Sequence, residues 1–315
     1  MRLLKELMIL GILAASAPSA HALLAGNPNG TPADTPQLRV DANVASSPWA
    51  GVGSIVIGSQ TFTGTLIDSR HVLTAAHVVY GAQLENIRFN LNANGDLSSQ
   101  FNASAVHVNP RYNGFIPGAD GIVHDDLAVI ELSEAVSDAV PVYSLYSQPL
   151  SQAASLTFVG YGASGNGVDG ITVGSSSTVK RVGQNTADIL LHDIDGNDQA
   201  DAFLFDFDGG NSNAFGGTSL GNGIETTFGV GDSGAPAFIR VNDAWQLAGV
   251  GTFVAGLGGR WLPAGTFGTG GGGMIVSAYT SWIQSTVSPV PEVNISFMLV
   301  AGLVLVAGVA LRRQR

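Results

Sequence analysis

Apolar positions along the chain fall into short runs rich in Val, Ile, Thr and Phe, each closed off by a cluster of Gly, Asn, Asp or Ser. Such runs occupy Ser54–Ile57, Thr61–Ile67, Ile87–Leu91, Ala105–Val108, Leu127–Leu132, Ser155–Tyr161, Ala202–Phe207, Ala235–Arg240 and Trp245–Phe253. Turn signals this frequent leave no room for the crossover helices of a parallel sheet, so the pattern predicts an all-β barrel or sandwich. One segment, Val276–Thr286, instead repeats at helical spacing through Tyr279, Trp282 and Ile283 and predicts a closing helix. Gly270–Gly273 breaks the pattern and reads as a loop whose backbone must flex or be approached closely. The chain carries no internal repeat.

The two ends carry apolar runs of another kind. Arg2 and Lys5 precede Leu7–Ala15, and Ala20-His21-Ala22 places small residues where a signal peptidase inspects the chain, which predicts an export leader cut after Ala22. The Gly-, Pro-, Asn- and Thr-rich stretch that follows reads as a flexible lead-in. At the other end, Ile295–Leu311 is 17 residues without a charge, followed by Arg312, Arg313 and Arg315. At helical rise it reaches about 26 Å, enough for a minimal membrane-spanning helix with its basic end on the cytoplasmic side. With Pro291-Glu292 just upstream, this end resembles the PEP-CTERM sorting tags of Gram-negative bacteria. The resemblance implies a sorting transpeptidase cutting near Pro291-Glu292, although Val293 stands where a second proline is usual; a plain C-terminal anchor is the other reading. Either way the protein is expected to cross the inner membrane and to be anchored there or released to the cell surface or matrix.

Composition narrows the field. The chain has 315 residues, 45% hydrophobic and only 12% charged, with 42 Gly and a net charge of -11. Glycine at about twice and charge at about half the usual share argue against a helical or coiled-coil protein. Removing both ends leaves 8 basic against 22 acidic residues, a net of -14. That excludes a basic nucleic-acid-binding surface. With no cysteine, disulfides, thiolate zinc sites and a Cys nucleophile are excluded too.

Three segments carry candidate chemistry. Gly231-Asp232-Ser233-Gly234-Ala235-Pro236 sets a serine between glycines ahead of an apolar strand, where the N–H groups of Gly231 and Ser233 would face a developing oxyanion. Leu73-Thr74-Ala75-Ala76-His77 puts a histidine beside small residues at a strand end, and Asp125-Asp126-Leu127-Ala128 puts carboxylates at the mouth of a buried strand, where burial costs free energy without a partner. Each alone also fits an ordinary turn or core residue.

Together, in the order His77, Asp126, Ser233 and with separations of 49 and 107 residues, they resemble the trypsin-like serine peptidases of the chymotrypsin fold. Thr61–Ile67, Gly160-Tyr161-Gly162 and Val276–Ile283 match as well, so the resemblance covers roughly 40–286. It implies two packed six-stranded antiparallel β-barrels, about 40–150 and 151–275, with a closing helix over 276–286 and the site between the barrels. It further implies Ser233 as nucleophile, His77 as base and Asp126 as its orienting carboxylate, with no cofactor and a protein or peptide substrate. Asp126 is chosen over Asp125 because it directly precedes Leu-Ala. Thr252 matches a hydroxyl that supports the carboxylate, and Thr227, Phe228 and Val254 match the primary pocket. No carboxylate stands at Thr227 to receive Arg or Lys, which favours small or medium apolar residues, although Glu225 lies close enough in sequence to intrude.

In many relatives the residue matching Asp232 pairs with a new N-terminus freed by proteolysis. Arg39-Val40 offers a basic residue before Val, but Asp41-Ala42-Asn43 is not the usual glycine-containing continuation, so 23–39 reads as lead-in or propeptide. Around the domain, the reading gives a leader at 1–22, a linker at 287–294, a spanning helix at 295–311 and a basic tail at 312–315. Asp193, Asp195, Asn197, Asp198 and Asp201 alternate as calcium ligands would. The EF-hand pattern fails at Asp198 and Leu204, and a solvated acidic loop competes. No histidine spacing suits a transition metal. A silent protease-like binding protein and an esterase using the same three residues remain the alternatives.

Overall fold

The computed structural model describes residues 23–92, 95–118, 120–192, 199–210, 212–256 and 262–288. The leader, the spanning helix and the residues of the proposed sorting tag lie outside them, as do Asp193, Asp195, Asn197 and Asp198. Among the described residues no helix is long and apolar enough to cross a membrane.

Strands β1 (Val52–Ile57) and β2 (Gln60–Leu66) are joined by Gly58 and Ser59, and Gly58 at φ 61° supplies the left-handed backbone that a two-residue hairpin demands. With β3 (His71–Thr74), β4 (Ile87–Leu91), β5 (Ser99–Val108) and β6 (Ala128–Leu132) they close into a six-stranded antiparallel barrel in the order β1-β2-β3-β6-β5-β4. Alternation sends Ile55, Leu66, Val72, Phe89 and Ile130 into its core.

The second half holds β7 (Ser155–Gly160), β8 (Ser164–Asn166), β9 (Gly170–Val173), β10 (Arg181–Thr186), β11 (Ile189–Leu191), β12 (Ala202–Asp206), β13 (Pro236–Val241), β14 (Ala244–Gly256) and β15 (Thr269–Ile275). Seven of these form one antiparallel sheet, β10-β7-β13-β14-β15-β12-β11, while β8 and β9 pair as a separate ribbon. A short helix α1 (Ala76–Val79) follows β3, and helix α2 (Val276–Val287) closes the chain's described part against β14. The fold is therefore all-β, as the hydrophobic pattern predicts.

Two expectations change. Gly270–Gly273, read as a loop, lies inside β15, a buried strand between β14 and β12. Its glycines are needed for close approach: a Cβ at Gly273 would stand 1.9 Å from the Val250 carbonyl oxygen, and one at Gly272 would meet the Phe253 ring at 2.4 Å. The rings of Phe205, Phe228 and Phe253 fill the space that side chains at Gly271 and Gly272 would have taken.

The lead-in is likewise built into the fold and not flexible. Leu23, Leu24 and Ala25 are fully buried. Ala25 bridges to Asn166 at the end of β8, and the Leu24 N–H donates to the Thr227 carbonyl at 3.0 Å. Asp34 is buried against Arg39, whose guanidinium also donates to the carbonyls of Ile224 (2.6 Å) and Glu225 (2.9 Å).

Candidate active site

The site forms where the barrel meets the second sheet. β3 delivers Ala75 and Ala76, both fully buried, and their small side chains let α1 start against the barrel wall with His77 on its first turn. The His77 backbone N–H donates to Asp126 Oδ1 at 2.8 Å, and its ring Nδ1 lies 2.6 Å from Asp126 Oδ2. Both carboxylate oxygens are thus engaged by one residue. Because Asp126 accepts at Nδ1, the proton resides there and Nε2 is left as an acceptor. The Ser233 hydroxyl is 2.7 Å from that Nε2.

The placement of Asp126 follows from its turn. Asp125 takes φ 60°, and the Leu127 N–H closes onto the Asp125 carbonyl at 2.7 Å in a three-residue turn centred on Asp126. The turn sends the two neighbouring carboxylates apart: Asp126 to His77, and Asp125 to the Arg111 guanidinium at 2.6 Å. Just upstream, the His124 ring sits between Asp120 (2.9 Å) and Asp201 (2.8 Å), and Tyr279 of α2 donates to Asp201 at 3.2 Å. Burial disfavours a charged His124, but the hydrogen bonds and fields of Asp120 and Asp201 prevail and raise its pKa to about 10. An imidazolium therefore ties the Asp126 loop to the second half at neutral pH.

Ser233 is held by its glycines. Gly234, at φ 86°, brings the turn so close to the barrel that a Cβ there would meet the Thr63 carbonyl oxygen at 2.0 Å; Gly231 takes φ 94°. Thr63 N–H donates to the Ser233 carbonyl at 3.0 Å, fastening the turn to β2. Among the described residues neither the Gly231 N–H nor the Ser233 N–H has a hydrogen-bond partner. Between them, Asp232 points inward and accepts from the N–H groups of Leu23 (2.9 Å), Gly162 (2.9 Å) and Gly229 (2.8 Å). Burial raises its pKa to about 6 against the pull of those donors and of Arg181.

Other predicted residues stand differently. Thr252 does not support the carboxylate: its hydroxyl has no hydrogen-bond partner among the described residues. It is the extra residue of a bulge, where the pairing of β14 with β15 slips between Gly251 and Phe253. Phe228 is core and not an open pocket wall, its ring packed 4.7 Å from that of Phe158 and 5.1 Å from that of Phe205. Thr227 is buried as well, while Val254 is half-buried. Glu225 turns away, accepting from the Asp208 N–H, Ser219 and Leu220. Asp201, grouped by sequence with the acidic loop, is turned inward onto His124 and Tyr279. The described residues contain no group of three metal-ligating side chains.

Sequence reasoning missed His124 and Phe115. The Phe115 ring lies 5.7 Å from the His77 ring and is 60% exposed, covering one side of the imidazole. Phe115-Ile116, an apolar pair in a Gly-Pro loop, carries no periodicity to mark it, and one partner of His124, Asp201, lies 77 residues away in the chain.

A comparison with curated proteins finds no match for the chain. The family model described as Trypsin matches residues 39–265. Over that span, well over half its length, the chain belongs to the trypsin family of serine peptidases.

Proposed function

We propose that this protein is an exported serine endopeptidase that cleaves peptide bonds through an acyl-enzyme. The observation that carries the reading is the unbroken relay Ser233 Oγ to His77 Nε2 (2.7 Å) and His77 Nδ1 to Asp126 Oδ2 (2.6 Å). A serine hydroxyl is too weak an acid to attack an amide alone. In this reading Nε2 takes its proton as Oγ attacks the carbonyl carbon, and returns it to the leaving amine. Asp126 holds the tautomer and stabilises the imidazolium that forms. The unpartnered N–H groups of Gly231 and Ser233 receive the oxyanion. A water then repeats the cycle on the acyl-enzyme.

Cleavage after Arg or Lys is not part of this reading, because Thr227 offers no carboxylate and Glu225 is committed elsewhere. Small or medium apolar residues remain the proposed preference. Export through a leader cut after Ala22 and retention through 295–311, with sorting near Pro291-Glu292, belong to the same reading on the sequence pattern alone.

The test is labelling with a fluorophosphonate, which reports an activated serine, beside Ser233→Ala. Labelling that the variant loses supports the relay, and peptide against ester turnover then separates peptidase from esterase. A correctly folded protein that takes no label under any processing state would point instead to a binding protein on a peptidase fold.

A further inference from the structure

The three residues of the relay come from the two halves of the molecule. His77 and Asp126 stand on the barrel side, on α1 and in the turn before β6, while Ser233 stands in the turn before β13. Their alignment therefore depends on the seam between the halves. On the Ser233 side that seam is fastened at β2: the Thr63 N–H reaches the Ser233 carbonyl at 3.0 Å, and the Tyr161 N–H reaches Thr63 Oγ1 at 3.1 Å. On the Asp126 side the fastening is made by side chains.

Its anchor is Asp201, the residue before β12. The Asp201 N–H donates to the Leu191 carbonyl at 3.0 Å, and its own carbonyl accepts from the Ile275 N–H at 2.7 Å. Its Oδ2 meets two groups at once, His124 Nδ1 at 2.8 Å and the Tyr279 hydroxyl at 3.2 Å. His124 is two residues before Asp126. The residue between them, Asp125, is bound to Arg111 at 2.6 Å, and the Arg111 guanidinium lies over the Tyr279 ring, 5.8 Å from its centre. The contacts thus close a circuit from His124 through Asp201, Tyr279 and Arg111 back to Asp125. Burial and the fields of Asp201 and Asp125 hold the Tyr279 phenol far above its ordinary range, so it stays a donor.

We propose that His124 and Tyr279 are positioning residues for the reaction: through Asp201 and Arg111 they latch the Asp126 turn to the half that carries Ser233, and so keep the carboxylate in line with His77. The inference rests on the peptidase reading of His77, Asp126 and Ser233, and the test keeps the two apart. The latch needs a hydrogen on both ring nitrogens of His124, because Asp120 accepts at Nε2 and Asp201 at Nδ1. The charged and titratable groups that face it are Asp120 from its own loop, Asp201 ahead of β12, Tyr279 of α2 and the Arg111–Asp125 pair. As pH rises through about 10, the imidazolium gives up one hydrogen and the latch loses one of its two ties.

In the test, His124→Gln and Tyr279→Phe are made in the full-length protein. Tyr279→Phe removes only a hydroxyl and guards against a His124 variant that fails to fold. Fluorophosphonate labelling, and kcat and KM on a fluorogenic peptide amide with alanine before the scissile bond, are read well below each melting temperature. The low-field proton resonance of the His77–Asp126 hydrogen bond is read in the same variants carrying Ser233→Ala, where it needs no turnover. At pH 8, kcat and labelling should fall about tenfold in His124→Gln and about threefold in Tyr279→Phe, with KM within about twofold, and the resonance should broaden in both. The parent's kcat should also decline through about pH 10, a limb that His124→Gln lacks. A merely structural role would lower the melting temperature and leave kcat and the resonance unchanged, which would overturn the inference. So would a fall in kcat with a sharp resonance, a broadened resonance with kcat unmoved, or the same alkaline behaviour in parent and variant. A parent that neither turns over nor labels sinks the peptidase reading, and the resonance then decides the latch alone: broadened in the variants it stands, sharp it falls.

Discussion

On the His77 side of the site, Asp232 apart, the carboxylates are met by basic groups; in a second cluster, Asp188, Asp206, Asp208 and Glu225, they are not. Asp126 has His77, Asp125 has Arg111, and Asp120 and Asp201 share His124. Asp188, Asp206, Asp208 and Glu225 instead share donors among themselves and with nearby backbone, and among the described residues no cation bridges to any of them. The consequence shows in their ionisation. Burial, then the fields of Asp206, Glu225 and Asp188, pushes Asp208 up to about 7; burial chiefly pushes Asp188 up to about 6 and raises Glu225. Residues of one type in one fold therefore do opposite things. Pairing near the site fixes a carboxylate in place, and at Asp120 burial is outweighed by the His124 hydrogen bond, which holds it below its ordinary value, whereas crowding without cations raises Asp188, Asp208 and Glu225.

The sharpest way to break the comparison is to unpair Asp126. Asp126→Asn keeps the shape but presents an amide to His77, favouring the wrong tautomer. Turnover should fall by about 10⁴-fold, with little change in melting temperature. A fall of less than tenfold would show that His77 does not depend on this carboxylate.

Next in size is His124. Its folded pKa of about 10 lies above the ordinary value of 6.5, so its contribution to stability is fully present below pH 6.5 and is lost as pH rises toward 10. His124→Gln leaves Asp120 and Asp201 without their cation and should cost about 3 kcal/mol near pH 6, as removal of one member of a buried pair does. Denaturant unfolding at pH 6 and pH 10 checks it: the deficit should shrink at the higher pH. A constant deficit would mean lost packing and not lost charge.

The acidic cluster should respond in a different window. A carboxylate whose folded pKa is raised binds its proton more tightly in the folded state, so stability is lost as pH climbs from about 4 through about 7. Asp208→Asn removes one repelling charge while keeping the shape. Since Asp208 is only partly buried, the gain should be about 1 kcal/mol at pH 8 and near zero at pH 4, read from melting curves at the two values. Greater stability of the unaltered protein at pH 8 than at pH 5 would contradict the picture of an uncompensated cluster.

These contrasts also explain what the sequence made legible. Strands such as Ile87–Leu91 announce themselves because alternation follows directly from which face is buried. The order of His77, Asp126 and Ser233 was legible because each sits in a local turn whose neighbours are fixed by that turn. β15 was hidden, since four glycines carry no apolar signal and their fitness for a strand depends on rings contributed by β12 and β14. His124 was hidden for the same reason: its partners stand 4 and 77 residues away, and only the tertiary fold brings them together. Long-range complementarity leaves no periodic trace in one sequence.

The smallest expected effect concerns Thr252. Both oxygens of Asp126 already receive hydrogens from His77, and the buried Thr252 hydroxyl has no partner among the described residues. A hydroxyl supporting Asp126 should be missed when removed; an idle one should not. Thr252→Val conserves shape and discards only the polar group. The prediction is a change in kcat/KM of less than about twofold and a stability unchanged or higher by up to about 1 kcal/mol, since an unsatisfied buried hydroxyl costs free energy. A tenfold loss of kcat with KM preserved would instead place this hydroxyl on Asp126 during turnover, and the pairing around His77 would then need three partners where the resting structure uses two.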